Sequence, residues 1–150
     1  MKVRLAVSKE NYEKIKSELT ELGIEIDDSS ELMISESNRF VDIIIVKDMI
    51  SSGHMVLSSD DIVYIESFGH SIEVHTQDNT YQALDRLYKI YNMLDPNKFL
   101  RISNSVIIAK NKVKMISPTL TRKFTLTMAN GRTVDVTRSY YYLFKESFGI

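Results

Sequence analysis

The chain has 150 residues, of which 43% are hydrophobic and 26% charged, with no Cys, no Trp and two Pro. A soluble chain of this length forms one domain, or one domain with a small appendage, and buries enough surface to need no disulfide or metal. The lack of Cys excludes disulfides, Cys-ligated zinc, iron–sulfur clusters and thiol catalysis. The longest nearly apolar run, residues 40–46, is far shorter than the ~18 residues of a membrane span. Because the N-terminal segment is also charged too early for a signal peptide, we expect a cytoplasmic protein.

Charge is distributed unevenly along the chain, although the net charge is only −1. Residues 1–48 carry 7 bases and 11 acids, residues 49–97 carry 2 and 7, and residues 98–150 carry 10 and 2. A strongly basic last third favours a polyanionic partner, because cations that neutralise phosphates release counterions. This interpretation requires the cations to lie together on one side of the molecule. The alternative is that they line solvent-exposed strands and protect sheet edges.

The N-terminal part predicts a small β-α-β-type unit with an acidic surface. Ser8 is a suitable N-cap for a helix that ends near Leu22, with Gly23 at the C′ position. Strands are predicted over 2–7, 24–26, 32–35 and 40–46. Residues 47–59 are rich in Ser, which is typical of a linker between domains. We therefore predict an appendage at 1–50 and a main domain at 51–150.

The sequence of the main domain predicts short strands with one internal helix and one final helix. Apolar residues at helical spacing predict a helix over 81–94, stopped by Asp95-Pro96, and a final helix begins near Arg138. Strands are predicted over 62–67, 71–76, 100–102, 106–109, 113–116, 123–128 and 133–136. The predicted fold class is mostly β with α: the small N-terminal unit, then a multi-sheet β domain with one or two helices.

No pattern in the sequence predicts catalysis, a metal site or a cofactor. The three histidines show no metal-ligand spacing, and there is no nucleophile-elbow or phosphate-loop motif. Asp48 ends an apolar run, as the phosphoacceptor strand of a receiver domain does. However, Ser8-Lys9 stands where the receiver's acidic pair would be, and some 48 residues are too few for that fold. We therefore expect a protein that is not an enzyme, and Asp48 as a strand-end or capping residue.

Two segments of the main domain carry a further pattern. FLRISNSVIIA at 99–109 is similar to a Phe-x-Arg-x-(His)-x-Ser-hydrophobic-hydrophobic-Asn motif, and NGRTVDVTRSY at 130–140 is similar to the strand and helix that close the same domain. Together with the hairpin before them, these segments resemble the LytTR DNA-binding family of bacterial transcription regulators, over about residues 55–148. Two positions depart from the family pattern: Ala109 replaces an Asn, and Asp135 replaces a Pro. Neither change removes a positive charge.

The resemblance implies an elongated fold of about ten strands whose loops enter successive major grooves of double-stranded DNA and bend it, usually at repeated half-sites. It implies base contacts from three residues at loop tips: His70, Asn104 and Arg138. The hydrogen-bonding groups of these side chains match base edges in the major groove. For each there is a structural alternative: His70 as a plain turn residue, Asn104 as a left-handed turn residue, and Arg138 in a salt bridge with Asp135.

Phosphate contacts are expected from basic residues and one hydroxyl in the same region. The candidates are Lys98, Arg101, Ser105, Lys110, Lys112, Arg122 and Lys123. Arg101 could instead form an internal salt bridge, and Ser105 could cap a turn. Tyr140, Tyr141 and Tyr142 could stack on bases, although helical spacing favours packing in the core.

A second class of function remains open. The acidic N-terminal unit could make the protein an interaction or small-ligand sensing module. The same unit also fits a DNA-binding regulator, as the part through which a homodimer places two DNA-binding domains on repeated half-sites.

Overall fold

The structure is a computed structural model that describes residues 1–36 and 40–150, and the chain forms two units, 1–40 and 41–150. The first unit contains a three-stranded parallel sheet with one helix. Its strands are β1 (Lys2–Ala6), β2 (Glu25–Ile26) and β3 (Met33–Ser35), in the order β2-β1-β3, and its helix is α1 (Lys9–Glu21). Gly23 follows this helix with a φ of +79°, the left-handed C′ conformation that the sequence predicts.

Ser8 lies at the N-cap position but makes no side-chain capping bond. Its hydroxyl donates to Glu36 Oε1 at 2.9 Å, and its backbone N–H donates to the same oxygen at 3.1 Å. The predicted helix start is therefore correct, whereas the expected capping contact is replaced by a bond to a residue 28 positions away.

The second unit contains a seven-stranded antiparallel sheet and a three-stranded antiparallel sheet. The large sheet has the order β5-β4-β8-β7-β6-β10-β9, and the small sheet the order β11-β12-β13. The strands of the large sheet are β4 (Ile43–Asp48), β5 (His54–Ser58), β6 (Tyr64–Phe68), β7 (Ser71–His75), β8 (Thr80–Ala83), β9 (Phe99–Arg101) and β10 (Val106–Ala109). Those of the small sheet are β11 (Val113–Pro118), β12 (Phe124–Met128) and β13 (Thr133–Val136). The helices are α2 (Leu87–Met93) and α3 (Tyr141–Phe148), and short 3-10 turns occupy Ser59–Asp61, Lys110–Lys112 and Arg138–Tyr140.

The large sheet is buried on both faces along β10. Alternate side chains of a strand point to opposite faces, so Ile107 and Ile108 enter different cores. Ile107 packs in the cluster that includes Ile90 of α2. Ile108 packs in the cluster that includes Leu126 of β12 and Phe144 of α3. The unit is thus layered, with α2 on one face of the large sheet and the small sheet with α3 on the other.

The predicted fold class is confirmed: the protein is mostly β, with multiple sheets, and the fully described stretch 41–150 contains ten strands and two α-helices. Two local predictions are wrong. Residues 80–83 form β8 instead of the start of a helix, because β7 and β4 bond to the two sides of this segment. Residues 54–58, predicted as part of a linker, form edge strand β5.

The boundary between the units differs from the predicted one. Because β4 and β5 pair within the large sheet, the units meet at residues 40 and 41 instead of 50 and 51. Asp48 ends β4 and accepts the Ser51 hydroxyl at 2.6 Å. This bond is the main cause of the lowered pKa of Asp48, and the residue has the turn-capping position that the sequence predicts. In the described part of the chain, no helix is both long and apolar enough to cross a membrane.

Candidate nucleic-acid interface

The turn between β6 and β7 presents His70 to solvent. Phe68 pairs with Ser71, so Gly69 and His70 form a two-residue connection. Gly69 has a φ of +62°, a conformation that Gly adopts at no steric cost, and the sharp turn leaves the His70 side chain exposed.

The turn between β9 and β10 presents Asn104, and its own side chains hold it. Arg101 Nε donates to the carbonyl oxygen of Ser103 at 3.0 Å, and Arg101 Nη2 donates to that of Asn104 at 2.6 Å. The backbone N–H of Ser105 donates to Ser103 Oγ at 3.1 Å. Ser103 therefore caps the turn, and Arg101 bonds to backbone carbonyls. Among the described residues it does not form the internal salt bridge considered from the sequence. Asn104 is not among the described residues with a positive φ, so the left-handed alternative is wrong.

Arg138 follows β13 and lies exposed in a 3-10 turn. Among the described residues, no ion pair joins it to Asp135. Asp135 Oδ1 instead accepts the hydroxyl of Thr125 at 3.0 Å. The guanidinium of Arg138 is thus presented to solvent.

Two backbone hydrogen bonds bring these three turns to the same end of the second unit. Ser67 N–H donates to the carbonyl of Ser105 at 2.8 Å, which places the β6–β7 turn beside the β9–β10 turn. Thr137 N–H donates to the carbonyl of Ile102 at 3.0 Å, which places the Arg138 turn on the other side of the β9–β10 turn. We call this region the loop end; it comprises residues 69–70, 103–105, 119–123 and 137–140.

The β11–β12 turn contributes two cations to the loop end. Pro118 pairs with Phe124, and Phe124 pairs with Val136, so the turn lies next to the residues that precede Arg138. Arg122 has a φ of +55°, and its Nη1 donates to the hydroxyl of Tyr142 at 3.5 Å. Lys123 is exposed.

The loop end is basic. Together with Arg101, its residues include four cations and no Asp or Glu. The cations are Arg101, Arg122, Lys123 and Arg138. An acid-free set of cations around exposed hydrogen-bonding side chains favours a polyanion that also offers specific polar groups, as the edges and phosphates of duplex DNA do.

The other three phosphate candidates lie at the opposite end of the large sheet. Lys110 N–H donates to the carbonyl of Lys98 at 2.8 Å, at the far ends of β9 and β10. Lys98 Nζ also lies 3.7 Å from Asp60 Oδ1. Lys112 follows in the same 3-10 turn as Lys110. Because Val106 and Lys110 are four residues apart along a strand, the two ends are separated by about 13 Å. The phosphate candidates therefore do not form a single cluster: strand direction divides them between two ends of the large sheet.

One contact at the loop end could not be read from the sequence. Tyr140 Oη donates to Asn104 Oδ1 at 3.3 Å. Tyr140 and Tyr141 also pack against the core beneath the small sheet, as their spacing predicts, whereas Tyr142 is exposed. Nothing in the local sequence around Tyr140 indicates a partner 36 residues away.

The buried His75 lies away from the loop end. Its ring stacks on Tyr64 with centroids 4.2 Å apart, its Nδ1 lies 3.1 Å from the Thr80 hydroxyl, and its Nε2 lies 3.3 Å from Glu73 Oε2. Burial lowers the pKa of His75, and the Glu73 carboxylate opposes that effect. Burial and the neighbouring Glu73 raise the pKa of Glu66 on the same side of the sheet. Within the described residues, no group of three His, Asp or Glu is arranged to hold a metal ion.

The family model described as the LytTr DNA-binding domain matches residues 52–149. The chain belongs to the LytTr DNA-binding domain family. The match begins at the β4–β5 turn and includes every residue of the loop end.

Similar LytTr proteins include transcription and signalling proteins. The chain is 27% identical over 86 residues to the sensory transduction protein LytT of Bacillus subtilis, covering 57% of this chain and 36% of that protein. It is 24% identical over 124 residues to the transcriptional regulatory protein LytR of Staphylococcus aureus, covering 83% of this chain and 50% of that protein. The chain thus spans half or less of the length of these curated relatives.

A solved structure has the same fold. It is the LytTr DNA-binding domain of a Bacillus cereus protein described as a methyl-accepting/DNA response regulator. The TM-score is 0.69 at 24% identity, with 73% of this chain and 99% of that chain covered. The predicted family and fold are therefore confirmed.

Proposed function

We propose that this protein is a sequence-specific DNA-binding transcriptional regulator that acts through the loop end. The observation that carries the proposal is the convergence of three exposed candidates, His70, Asn104 and Arg138, on turns joined by backbone hydrogen bonds. Arg can donate two bonds to guanine O6 and N7, Asn can pair with adenine N6 and N7, and His can donate or accept one bond. Rigid turns that carry these groups side by side can read several base pairs in a fixed register.

The residues of the loop end fall into two sets: some contact phosphates and position the protein, and others recognise bases. Ser105, Arg122 and Lys123 flank the three base-contact candidates and are assigned to phosphates. Arg101 holds two turn carbonyls and retains further N–H groups on its guanidinium for a phosphate. Contacts of this kind supply affinity without carrying base identity.

The separation of the two groups of cations supports the proposal that the DNA bends. Lys98, Lys110 and Lys112 lie about 13 Å from the turns along the strand direction. The phosphates of a straight duplex bound at the loop end would not contact these three lysines. A duplex bent toward the large sheet would bring phosphates close enough to contact them. We therefore assign these three lysines to phosphate contacts that form when the turns occupy successive major grooves and the DNA bends.

The first unit is assigned to assembly or regulation. Within residues 1–40 there are 9 acids and 6 bases, which makes this unit unsuitable for DNA contact and suitable for a second copy or a regulator. A homodimer would place two loop ends on repeated half-sites. A regulator of this kind acts on the chromosome, which in bacteria places it in the cytoplasm.

The test is selection of bound duplexes from a random pool by the full chain. The expected result is enrichment of one short motif, with a repeated spacing if the protein dimerises. Sedimentation of the protein with a duplex that contains the motif gives the stoichiometry, and energy transfer between dyes at the duplex ends measures bending. If no motif is enriched and the chain instead self-associates or captures a protein partner, the interaction-module alternative is favoured.

A further inference from the structure

We propose that Tyr140 is a positioning residue that sets the base preference of Asn104. The inference rests on the proposed function, since it requires Asn104 to face a base. It concerns a contact between the start of the final helical segment and the β9–β10 turn, two elements that meet only in the folded chain.

In the structure, the oxygen of the Asn104 amide faces Tyr140. Tyr140 Oη donates to Asn104 Oδ1 at 3.3 Å, so the oxygen side of the amide is held toward the tyrosine and Nδ2 faces away from it. An amide oxygen has two lone pairs, of which this bond uses one. The second lone pair and the two Nδ2 protons remain for DNA, and they form the acceptor–donor pair that matches N6 and N7 of adenine. A flipped amide would present the wrong pattern.

The backbone of Asn104 is held separately. Arg101 Nη2 donates to the Asn104 carbonyl at 2.6 Å, and Arg101 Nε donates to the Ser103 carbonyl at 3.0 Å. With the peptide groups fixed by these bonds, the remaining freedom of Asn104 is rotation of its side chain. The Tyr140 hydroxyl restricts that rotation, which reduces the entropy lost when the side chain meets a base.

Tyr140 can act in this way because it is itself anchored. Its ring packs against the cluster that contains Phe144, and its N–H donates to the Thr137 carbonyl at 3.0 Å. Thr137 in turn donates to Ile102 at 3.0 Å. The hydroxyl is therefore a fixed point, and Arg138, which lies between Thr137 and Tyr140, is held in register with Asn104.

The experiment uses the full chain and the duplex selected by the wild-type protein. Tyr140→Phe removes the hydroxyl and keeps the ring, and Tyr141→Phe removes a neighbouring hydroxyl that makes no contact with Asn104. Affinity is measured for the selected duplex, for single-base-pair variants of it and for a random duplex. The same measurements are repeated in Asn104→Ala and in the double variant Asn104→Ala/Tyr140→Phe.

We expect Tyr140→Phe to weaken binding to the selected duplex by about three- to tenfold, the range of one hydrogen bond. The loss should be confined to discrimination at the base pair that Asn104→Ala also affects. Binding to random duplex and the slope of affinity against salt should not change, because no charge is removed. In the Asn104→Ala background, Tyr140→Phe should have no further effect. Tyr141→Phe should match the wild type throughout.

The outcomes separate this inference from the proposed function. If the wild type selects a motif but Tyr140→Phe binds all duplexes as the wild type does, the inference is overturned and the function stands. The same holds if the Tyr140→Phe effect persists without the Asn104 side chain, or if Asn104→Ala leaves base preference unchanged. Failure of the wild type to select any motif would overturn the function itself. Thermal unfolding of each variant identifies a loss caused by misfolding. In that case the test uses the wild type alone: NMR contacts of the Asn104 side-chain NH2 protons show whether the amide nitrogen faces away from the Tyr140 ring, and a nitrogen that faces the tyrosine overturns the inference.

Discussion

Arg138 and Asn104 are held differently by the fold, and this difference bears on how each would recognise DNA. Asn104 is bonded at its carbonyl and at its amide oxygen, whereas Arg138 projects into solvent from a short turn. A long exposed side chain loses more rotamer freedom on binding than one that is already fixed. We therefore propose that Arg138 compensates for this loss with bidentate hydrogen bonds to a base edge.

Replacing Arg138 by Ala should cost about 1–3 kcal/mol at the selected site and relax preference at one base pair. The cause is the loss of two hydrogen bonds to a guanine edge. Fluorescence anisotropy with the selected and the random duplex measures both effects. Equal losses on the two duplexes would instead assign Arg138 to a phosphate.

The buried His75 should make stability depend on pH. Burial lowers its pKa below the ordinary 6.5, so as the pH falls through 6.5 the unfolded chain takes up a proton that the folded chain does not. The free energy of unfolding should therefore decrease below pH 6.5, by up to about 1.4 kcal/mol per pH unit, until the folded-state pKa is reached. The raised pKa of Glu66 acts in the opposite sense at lower pH.

His75→Gln should flatten this part of the profile while leaving the Glu66 contribution in place. Urea unfolding between about pH 5 and 8 gives the comparison, with His54→Gln on the exposed strand β5 as the matched control. A profile for His75→Gln that is parallel to the wild type would show that another group causes the dependence.

At the scale of elements, the position of β4 shows what the second unit needs in order to fold. The family match begins at residue 52, yet β4 lies between β5 and β8 in the large sheet. Its Ile44 and Val46 are buried in the cluster that contains α2. A fragment cut at the family boundary would lose these side chains and expose a new sheet edge.

A fragment 51–150 should therefore be less stable than a fragment 41–150, by about 3–6 kcal/mol for two buried aliphatic side chains. Urea midpoints and protease resistance of the two fragments test this. Equal midpoints would mean that β4 adds little to the stability of the sheet. A DNA-binding assay on an isolated domain should accordingly use 41–150.

Elements also show where a sequence pattern is ambiguous. The spacing of Tyr81, Leu84 and Leu87 predicts a helix that begins at residue 81, but Tyr81 lies in a strand with partners on both sides. One of these partners, β4, comes from more than 30 residues earlier in the chain. The spacing of apolar residues within a short segment shows only which side chains can be buried. It cannot predict a strand partner more than 30 residues away.

Over the whole molecule, the division of cations between two ends is the main electrostatic feature. Affinity for DNA falls with salt according to the number of phosphates neutralised. The two ends can be tested separately because each carries two basic residues that can be replaced together. These are Arg122 and Lys123 at the loop end, and Lys110 and Lys112 at the opposite end.

The double variant Arg122→Gln/Lys123→Gln should reduce the slope of log affinity against log salt by about 1.8, since each phosphate contact contributes about 0.9. Lys110→Gln/Lys112→Gln should reduce it on a long duplex that can bend and leave it nearly unchanged on a duplex confined to the motif. The slopes are measured between about 50 and 200 mM salt. Equal slopes for the first variant and the wild type would remove Arg122 and Lys123 from the interface.

The sequence by itself determined the fold class, the family, the positions of most strands in the second unit and the identity of the three residues presented by the turns. These properties depend on local information: side-chain alternation, turn residues such as Asn130-Gly131, and a motif of fixed spacing. The tertiary structure alone decided which turns lie side by side, which cations accompany them, and which hydroxyl donates to Asn104. Each of these depends on strand direction and on hydrogen bonds between residues far apart in the chain, such as Ser67 with Ser105 and Tyr140 with Asn104.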